Sequence, residues 1–68
     1  MKKEANMPFI EVKLWKGRTR QEKADMIREI TRATSGAISC PDEAVQVAVT
    51  EYEQDNWGIA GRQASEKE

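Results

Sequence analysis

A single helical pattern stands between two short stretches in which apolar and polar residues alternate, and this order limits the folds open to the chain. The first stretch, residues 9–15, places Ile10, Val12 and Leu14 at every second position. The second stretch, residues 44–52, alternates in the same way through Val45, Val47 and Val49. Alternation of β-branched and polar residues is typical of strands. Strand, helix and strand in this order predict a βαβ unit, an α/β (α+β) fold with parallel strands and a right-handed crossover.

The helix is expected to run from about Arg20 to Ile38. Thr19 and Glu22 have the spacing of a capping box, in which each residue satisfies an amide of the other at the start of a helix. Pro41 disfavours helical backbone at Cys40 and ends the pattern. The stripe predicted to face the core comprises Ala24, Ile27, Ile30, Ala33, Thr34, Ala37 and Ile38, with Met26 beside it.

The remaining segments are polar or contain glycine. Asp42 and Glu43 are expected to form a turn and residues 53–56 a loop, whereas residues 57–61 have the glycine content of a tight hairpin or lid. Residues 62–68 read as a polar tail. Residues 1–7 are interpreted as a leader or a cloning remnant, which leaves residues 8–68 as a single domain.

The small size of this domain points to self-association. Sixty-eight residues bury only a modest core, and such domains usually need disulfides, a metal or a partner chain. Cys40 is the only cysteine and the chain has no histidine, which excludes an internal disulfide and argues against a structural zinc site. Two parallel strands under one helix also leave a sheet face and two edges uncovered. A homo-oligomer is therefore expected.

Charge and composition exclude several function classes. Eleven basic residues balance twelve acidic ones, so nothing favours nucleic acid as a partner. No apolar run approaches the roughly 20 residues that cross a bilayer, and the first residues lack the apolar core of a secretory signal. A single cysteine without such a signal suggests a cytoplasmic protein. Without histidine, a general base must be a carboxylate, Lys, Tyr52, Cys40 or a terminal amine.

Four fragments, in this order and at these separations, resemble the 4-oxalocrotonate tautomerase family over residues 8 to about 65. They are Met7-Pro8-Phe9-Ile10-Glu11-Val12, Gly17-Arg18-Thr19, Val49-Thr50-Glu51 and Asn56-Trp57-Gly58-Ile59-Ala60-Gly61. The resemblance implies βαβ protomers that assemble as hexamers. It also implies an isomerase that moves a proton in a small unsaturated 2-hydroxy or 2-oxo acid without a metal or organic cofactor.

The same resemblance implies roles for individual residues. Pro8 is the catalytic base, used as a free amino-terminal amine, and Arg18 binds the carboxylate of the substrate. Trp57 forms an aromatic wall, and Trp15 is a candidate for further apolar surface beside it. An apolar pocket and nearby cations would lower the pKa of a free proline amine toward neutrality, where a base works well.

Two positions depart from the family pattern, and a third distinguishes the chain from one branch of the family. Pro8 follows seven residues, and an acylated proline nitrogen has no usable lone pair. Either Met7 is the true start, or the leader is cleaved or was added by cloning, or the chain is a non-catalytic scaffold or ligand-binding protein. Gln46 stands where the family places an arginine that polarises the substrate carbonyl; Arg62 is a candidate replacement. Ile59 stands where a hydrolytic branch of the family has a carboxylate that activates water, which disfavours that chemistry.

Overall fold

A computed structural model describes residues 7–66 of the chain. Its regular elements are β1 (Phe9–Trp15), α1 (Arg20–Ile38), β2 (Gln46–Tyr52) and a hairpin of β3 (Gly58–Ile59) and β4 (Arg62–Gln63). The predicted βαβ unit with a C-terminal hairpin is confirmed. Residues 1–6 of the predicted leader, and 67 and 68 of the predicted tail, lie outside the described residues.

Strands β1 and β2 pair in parallel from Phe9 opposite Gln46 to Trp15 opposite Tyr52. Neighbouring residues of paired strands point to the same face, so each face of this sheet carries alternate residues of both strands. The face beneath α1 carries Ile10, Val12 and Leu14 of β1 and Val47, Val49 and Glu51 of β2. The other face, here called the open face, carries Phe9, Glu11, Lys13 and Trp15 of β1 and Gln46, Ala48, Thr50 and Tyr52 of β2.

The helix begins and ends where local sequence signals predicted. The Thr19 hydroxyl accepts a hydrogen bond from the Glu22 amide at 3.0 Å, and the Glu22 carboxylate accepts one from the Thr19 amide at 3.0 Å. The last turn closes at Ser39 in the left-handed conformation, φ 57°, just before Cys40 and Pro41. These bonds satisfy backbone groups that a bare helix end would leave without partners.

The face of α1 that lies on the sheet differs in part from the predicted stripe. Met26, Ile27, Ile30 and Thr34 are half-buried as expected, but Ala24, Ala33, Ala37 and Ile38 are exposed. Lys23 takes a place on the half-buried side and binds Glu51 of β2 at 3.0 Å. The stripe predicted from the sequence is wider than the face that the sheet covers, because a sheet of only two strands contacts a narrow part of the helix surface.

Two predicted boundaries were wrong. Strand β2 begins at Gln46 instead of residue 44, because a short 3₁₀ turn at Asp42–Ala44 holds the Val45 amide on the Asp42 carbonyl. The polar tail does not begin at Arg62, because Arg62–Gln63 forms β4 and pairs antiparallel with β3. Ala60 and Gly61 join these two strands with φ of 53° and 83°. Positive φ at both central residues is the requirement of a tight type I′ hairpin turn.

Little of this protomer is fully enclosed. Among residues 7–66, Cys40 alone is buried, whereas Phe9 and Ile59 are 59% and 55% exposed. No helix in this part of the chain is long and apolar enough to cross a membrane.

Candidate active-site groove

A groove of about 470 Å³ opens where β1 ends and turns toward α1. Strand β1, the loop that follows it and the residue before β3 supply its lining, which comprises Lys13, Leu14, Trp15, Lys16, Gly17, Arg18 and Trp57. Gly17 has φ 130°, a conformation that L side chains rarely adopt, and lets the loop turn sharply after β1. Three of the five predicted site residues, Trp15, Arg18 and Trp57, therefore meet in one groove.

One wall of the groove is aromatic. The Trp57 ring packs edge-to-face on Trp15 with 6.0 Å between ring centroids, and on Tyr52 with 5.6 Å. Trp15 and Tyr52 are neighbours on the open face, so Trp57 folds over the end of the sheet where both strands terminate. A 3₁₀ turn at Gln54–Asn56 leads the chain back to this position.

The hairpin is held to the turn that precedes Trp57. The Trp57 carbonyl accepts a hydrogen bond from the Ala64 amide at 2.8 Å. The Gln63 side chain donates to the Asp55 carbonyl at 2.9 Å, and the Ser65 hydroxyl donates to the Asp55 carboxylate at 2.5 Å. These bonds from both sides of the turn fix the backbone around Trp57, which keeps its ring over the groove.

The polar side of the groove is cationic. The Arg18 guanidinium lies 3.7 Å from the Glu22 carboxylate, and the Arg18 side chain is 67% exposed. Lys16 binds Glu53 at 3.1 Å, also at the surface. Such exposed ion pairs are weak, so both cations can exchange their partners for an incoming anion at little cost. Lys16 was not among the predicted site residues; its position directly before Gly17-Arg18 was the signal that could have identified it.

Pro8 and Gln46 lie together at the opposite end of the sheet. The Pro8 carbonyl accepts a hydrogen bond from the Gln46 amide at 3.0 Å, directly before the first rung of the β1–β2 ladder. Pro8 is half-buried, and the Gln46 side chain is exposed on the open face. Strand β1 runs from this end to the groove, and its seven residues span about 20 Å. Pro8 and Arg18 of one chain are therefore too far apart to hold the same small molecule.

Arg62, the predicted substitute for the missing strand arginine, lies on β4 and binds Glu66 at 2.9 Å. Within residues 7–66, no group of three or more His, Cys, Asp or Glu side chains is arranged to hold a metal ion.

Comparison with known proteins assigns the chain to one family. The family model described as "Tautomerase enzyme" matches residues 8–67. The chain belongs to the tautomerase family. This membership confirms the resemblance seen in the sequence. The matched residues include both ends of β1, the groove and the hairpin.

Individual tautomerases match over most of their length. A 2-hydroxymuconate tautomerase of Comamonas testosteroni is 37% identical over 60 residues, which cover 88% of this chain and 95% of that protein. A probable tautomerase of Ralstonia nicotianae is 40% identical over 55 residues, 81% of this chain and 79% of that protein. The crystal structure of TomN, a 4-oxalocrotonate tautomerase homologue of the tomaymycin biosynthetic pathway, superposes with a TM-score of 0.84 at 36% identity. It covers 85% of this chain and 89% of TomN.

Proposed function

We propose that this chain is an isomerase that tautomerises a small unsaturated 2-hydroxy or 2-oxo acid, with Pro8 as the base. The observation that carries the proposal is the groove, in which Arg18 and Lys16 stand beside the aromatic wall of Trp57 and Trp15. A conjugated carboxylic acid has the two matching features, an anionic group and a flat apolar body. The guanidinium of Arg18 can bind a carboxylate through two parallel hydrogen bonds.

In this mechanism the nitrogen of Pro8 takes the proton of the substrate's 2-hydroxyl group and delivers it to a carbon of the conjugated system. The 2-hydroxyl group becomes a ketone as the double bonds shift, so no proton is gained or lost overall. The base requires a free secondary amine, and cleavage after Met7 would supply it. Gln46, next to Pro8, would donate a hydrogen bond from its side-chain amide to the substrate oxygen on which negative charge develops. An uncharged donor stabilises that charge less than an arginine does.

A catalytic site of this kind requires more than one copy of the chain. Pro8 and Arg18 stand at opposite ends of β1, so the base of one protomer would have to meet the groove of another. The proposed assembly is a homo-oligomer, and the family resemblance favours a hexamer in the cytoplasm with no bound cofactor.

The test of the base begins with the protein expressed without a tag. Intact mass and N-terminal sequencing establish whether the active form starts at Pro8, and absorbance follows the ketonisation of 2-hydroxymuconate. We expect Pro8→Ala to lower kcat by about 10²–10⁴-fold, the usual contribution of a general base. Pro41→Ala, at the only other proline and far from the groove, is the control and should keep parental activity. Equal rates for Pro8→Ala and the parent would remove Pro8 from the mechanism.

The role of Arg18 has a matched control on the same segment. Arg18→Ala should raise KM about tenfold or more, because a charge-assisted bond to the carboxylate is lost. Arg20→Ala removes an exposed cation two residues away that does not line the groove, and should leave KM unchanged. An equal increase in KM for the two substitutions would show that Arg18 attracts the substrate only through its general positive charge and does not bind its carboxylate directly.

A mixing experiment tests whether the site is shared between chains. Pro8→Ala and Arg18→Ala proteins, each with much reduced activity at a low substrate concentration, are unfolded together and refolded at equal concentrations. A site built from Pro8 of one copy and Arg18 of another would be intact in about a quarter of cases in a random mixture. Activity near that fraction supports the shared site, and no recovery in properly assembled protein contradicts it.

A non-catalytic oligomeric scaffold, or a member that binds a ligand without turnover, is the second candidate. Two observations favour it: the peptide bond between Met7 and Pro8, and the uncharged Gln46 in place of an arginine. An active form that retains Met7, binds a dicarboxylate in an Arg18-dependent manner and turns over no enol would establish the ligand-binding alternative.

A further inference from the structure

The polar side of the groove concentrates positive charge at the end of β1. Lys13, Lys16 and Arg18 all line the groove, and all three residues are exposed. Lys16 and Arg18 hold weak surface ion pairs, and Lys13 has no ion pair with any residue that the structure describes. A carboxylate that enters this side of the groove therefore meets several cations that it can bind without breaking a strong contact.

The end of the sheet that carries Pro8 and Gln46 has the opposite electrostatic character. Residues 7–12 and residues 33–50, which include the last turns of α1 and the first part of β2, contain no Lys or Arg. Their charged residues are all acidic and comprise Glu11, Asp42 and Glu43. A carboxylate placed near Pro8 would lose its water without gaining an opposite charge from these segments, and burial of an unpaired charge is strongly unfavourable.

The aromatic wall of the groove has the shape of a corner. The ring planes of Trp15 and Trp57 are at 87° to each other, and Trp15 remains 38% exposed. A flat ring that lies parallel to one indole is perpendicular to the other, so it can stack offset on the first and meet the second edge-to-face. These are the two arrangements that aromatic rings prefer. The corner therefore fits an aromatic ring better than it fits a charged group.

We propose that the groove takes a monocarboxylic acid that carries an aromatic ring, and that the substrate of the proposed reaction is a 3-aryl-2-hydroxyacrylate. The carboxylate binds Lys16 and Arg18, and the ring occupies the corner between Trp15 and Trp57. This inference rests on the proposed function and narrows its substrate class, because dicarboxylic acids become the poorer substrates.

The reaction of such an acid is balanced without any co-reactant. The O–H bond of the 2-hydroxyl group breaks as Pro8 takes its proton, and a C–H bond forms at C3, the carbon that bears the ring. The double bond between C2 and C3 becomes the C2 ketone. The product is a 3-aryl-2-oxopropanoate, which is an isomer of the substrate.

A second carboxylate on the substrate has no favourable place. An extended conjugated dicarboxylate is flat and rigid and holds its two charges at opposite ends, so only one of them reaches Lys16 and Arg18. The other carboxylate would lie against the indole rings or toward the end of the sheet that carries Glu11. The first position leaves a charge in apolar surroundings, and the second sets it near a like charge.

Three acids that lack an enol test this recognition without turnover. Sorbate is a flat conjugated monocarboxylate, and trans,trans-muconate has a second carboxylate in place of its terminal methyl group. Cinnamate carries a phenyl ring instead. Isothermal titration calorimetry should give cinnamate a dissociation constant about tenfold below that of sorbate, because its ring contacts both indoles. Muconate should bind about tenfold more weakly than sorbate. Muconate that binds as tightly as sorbate, or cinnamate that binds no better than sorbate, would overturn the proposal.

Substitutions locate each preference in the structure. Trp15→Leu removes one side of the corner and should weaken the binding of cinnamate more than that of sorbate. Gln46→Arg adds a cation at the Pro8 end and should strengthen muconate binding about tenfold relative to sorbate. Gly36→Arg is the matched control, since it adds the same charge on the exposed surface of α1, where a Cβ meets no atom within 4 Å. Equal gains for Gln46→Arg and Gly36→Arg would refute the part played by the uncharged end of the sheet.

Turnover separates this inference from the proposed function. Absorbance follows the ketonisation of phenylenolpyruvate, an aryl monocarboxylate, and of 2-hydroxymuconate, a dicarboxylate. We expect kcat/KM for phenylenolpyruvate to be about tenfold higher or more. Turnover of both acids with the dicarboxylate preferred would overturn this inference and leave the isomerase in place. Turnover of neither acid would overturn the isomerase, and the binding series would then decide alone whether the groove recognises aryl acids.

Discussion

The Lys23–Glu51 ion pair joins α1 to β2 and should contribute more to stability than a surface pair of the same length. Its nitrogen and oxygen are 3.0 Å apart, and the side chains are only 29% and 27% exposed. Lys16–Glu53 provides an internal comparison, with the same two residue types at 3.1 Å but 58% and 60% exposure. Distance and chemistry are matched, so burial is the variable that differs.

The magnitude follows from that burial. Exposed pairs couple by about 0.2–1 kcal/mol, and breaking a fully buried pair costs about 3–5 kcal/mol because a charge is left without a partner. A pair that is roughly one-quarter exposed falls between these limits. We expect a coupling free energy of about 1–2 kcal/mol for Lys23–Glu51 and below about 0.5 kcal/mol for Lys16–Glu53.

Two double-mutant cycles measure these couplings by urea denaturation. The first uses Lys23→Met, Glu51→Gln and the double variant, and the second uses the same changes at Lys16 and Glu53. All samples need the same protein concentration, because association shifts apparent stability. Couplings that agree within about 0.4 kcal/mol, the usual limit of additivity, would refute the argument that burial strengthens the Lys23–Glu51 pair.

Three further predictions concern the hairpin and the helix. Trp57→Ala removes two edge-to-face contacts and should lower the free energy of unfolding, measured in urea, by about 1–3 kcal/mol. Trp57→Phe keeps an aromatic ring and should lower it by less. Equal decreases for the two variants would contradict a stabilising role of the ring contacts. Ala60→Gly relieves a positive φ and should raise the free energy of unfolding by about 0.5–1 kcal/mol; a decrease would refute strain at that residue. The pKa of Asp25 lies below its usual value of 3.8 because the Gln21 side chain and then Arg28 hydrogen-bond its carboxylate. Gln21→Ala should raise the pKa of Asp25 in an NMR titration. Because this pKa is lower in the folded protein than in the unfolded chain, the Asp25 carboxylate stabilises the folded state above pH 3.8. That stabilisation disappears as the pH falls through the folded pKa.

Both ends of the helix were predictable because local sequence signals encode them. Thr19 and Glu22 form their capping box within one turn, and Pro41 restricts the residue before it whatever the rest of the chain does. The start of β2 was not predictable in this way. Gln46 begins the strand because Phe9 begins the partner strand, and that pairing is not visible in the alternation of Val45, Val47 and Val49.

The sequence predicted some of the residues that line the groove but not the arrangement of the candidate site. Family resemblance singled out Pro8, Arg18, Gln46 and Trp57, and the structure brings Arg18 and Trp57 into one groove. The alternation rule fixes only the face on which a side chain lies. It does not reveal that the paired strands carry Pro8 and Gln46 to one end and the groove to the other, because that depends on parallel pairing over the whole length of β1.

The near absence of enclosed side chains has a kinetic consequence. Among the described residues only Cys40 is buried, and it is still 9% exposed, so an individual protomer has little to gain by folding in isolation. If chains complete one another as proposed, folding becomes a second-order reaction whose half-time lengthens on dilution. Newly synthesised chains would then be protected from proteolysis in proportion to how many copies are being made at the same time.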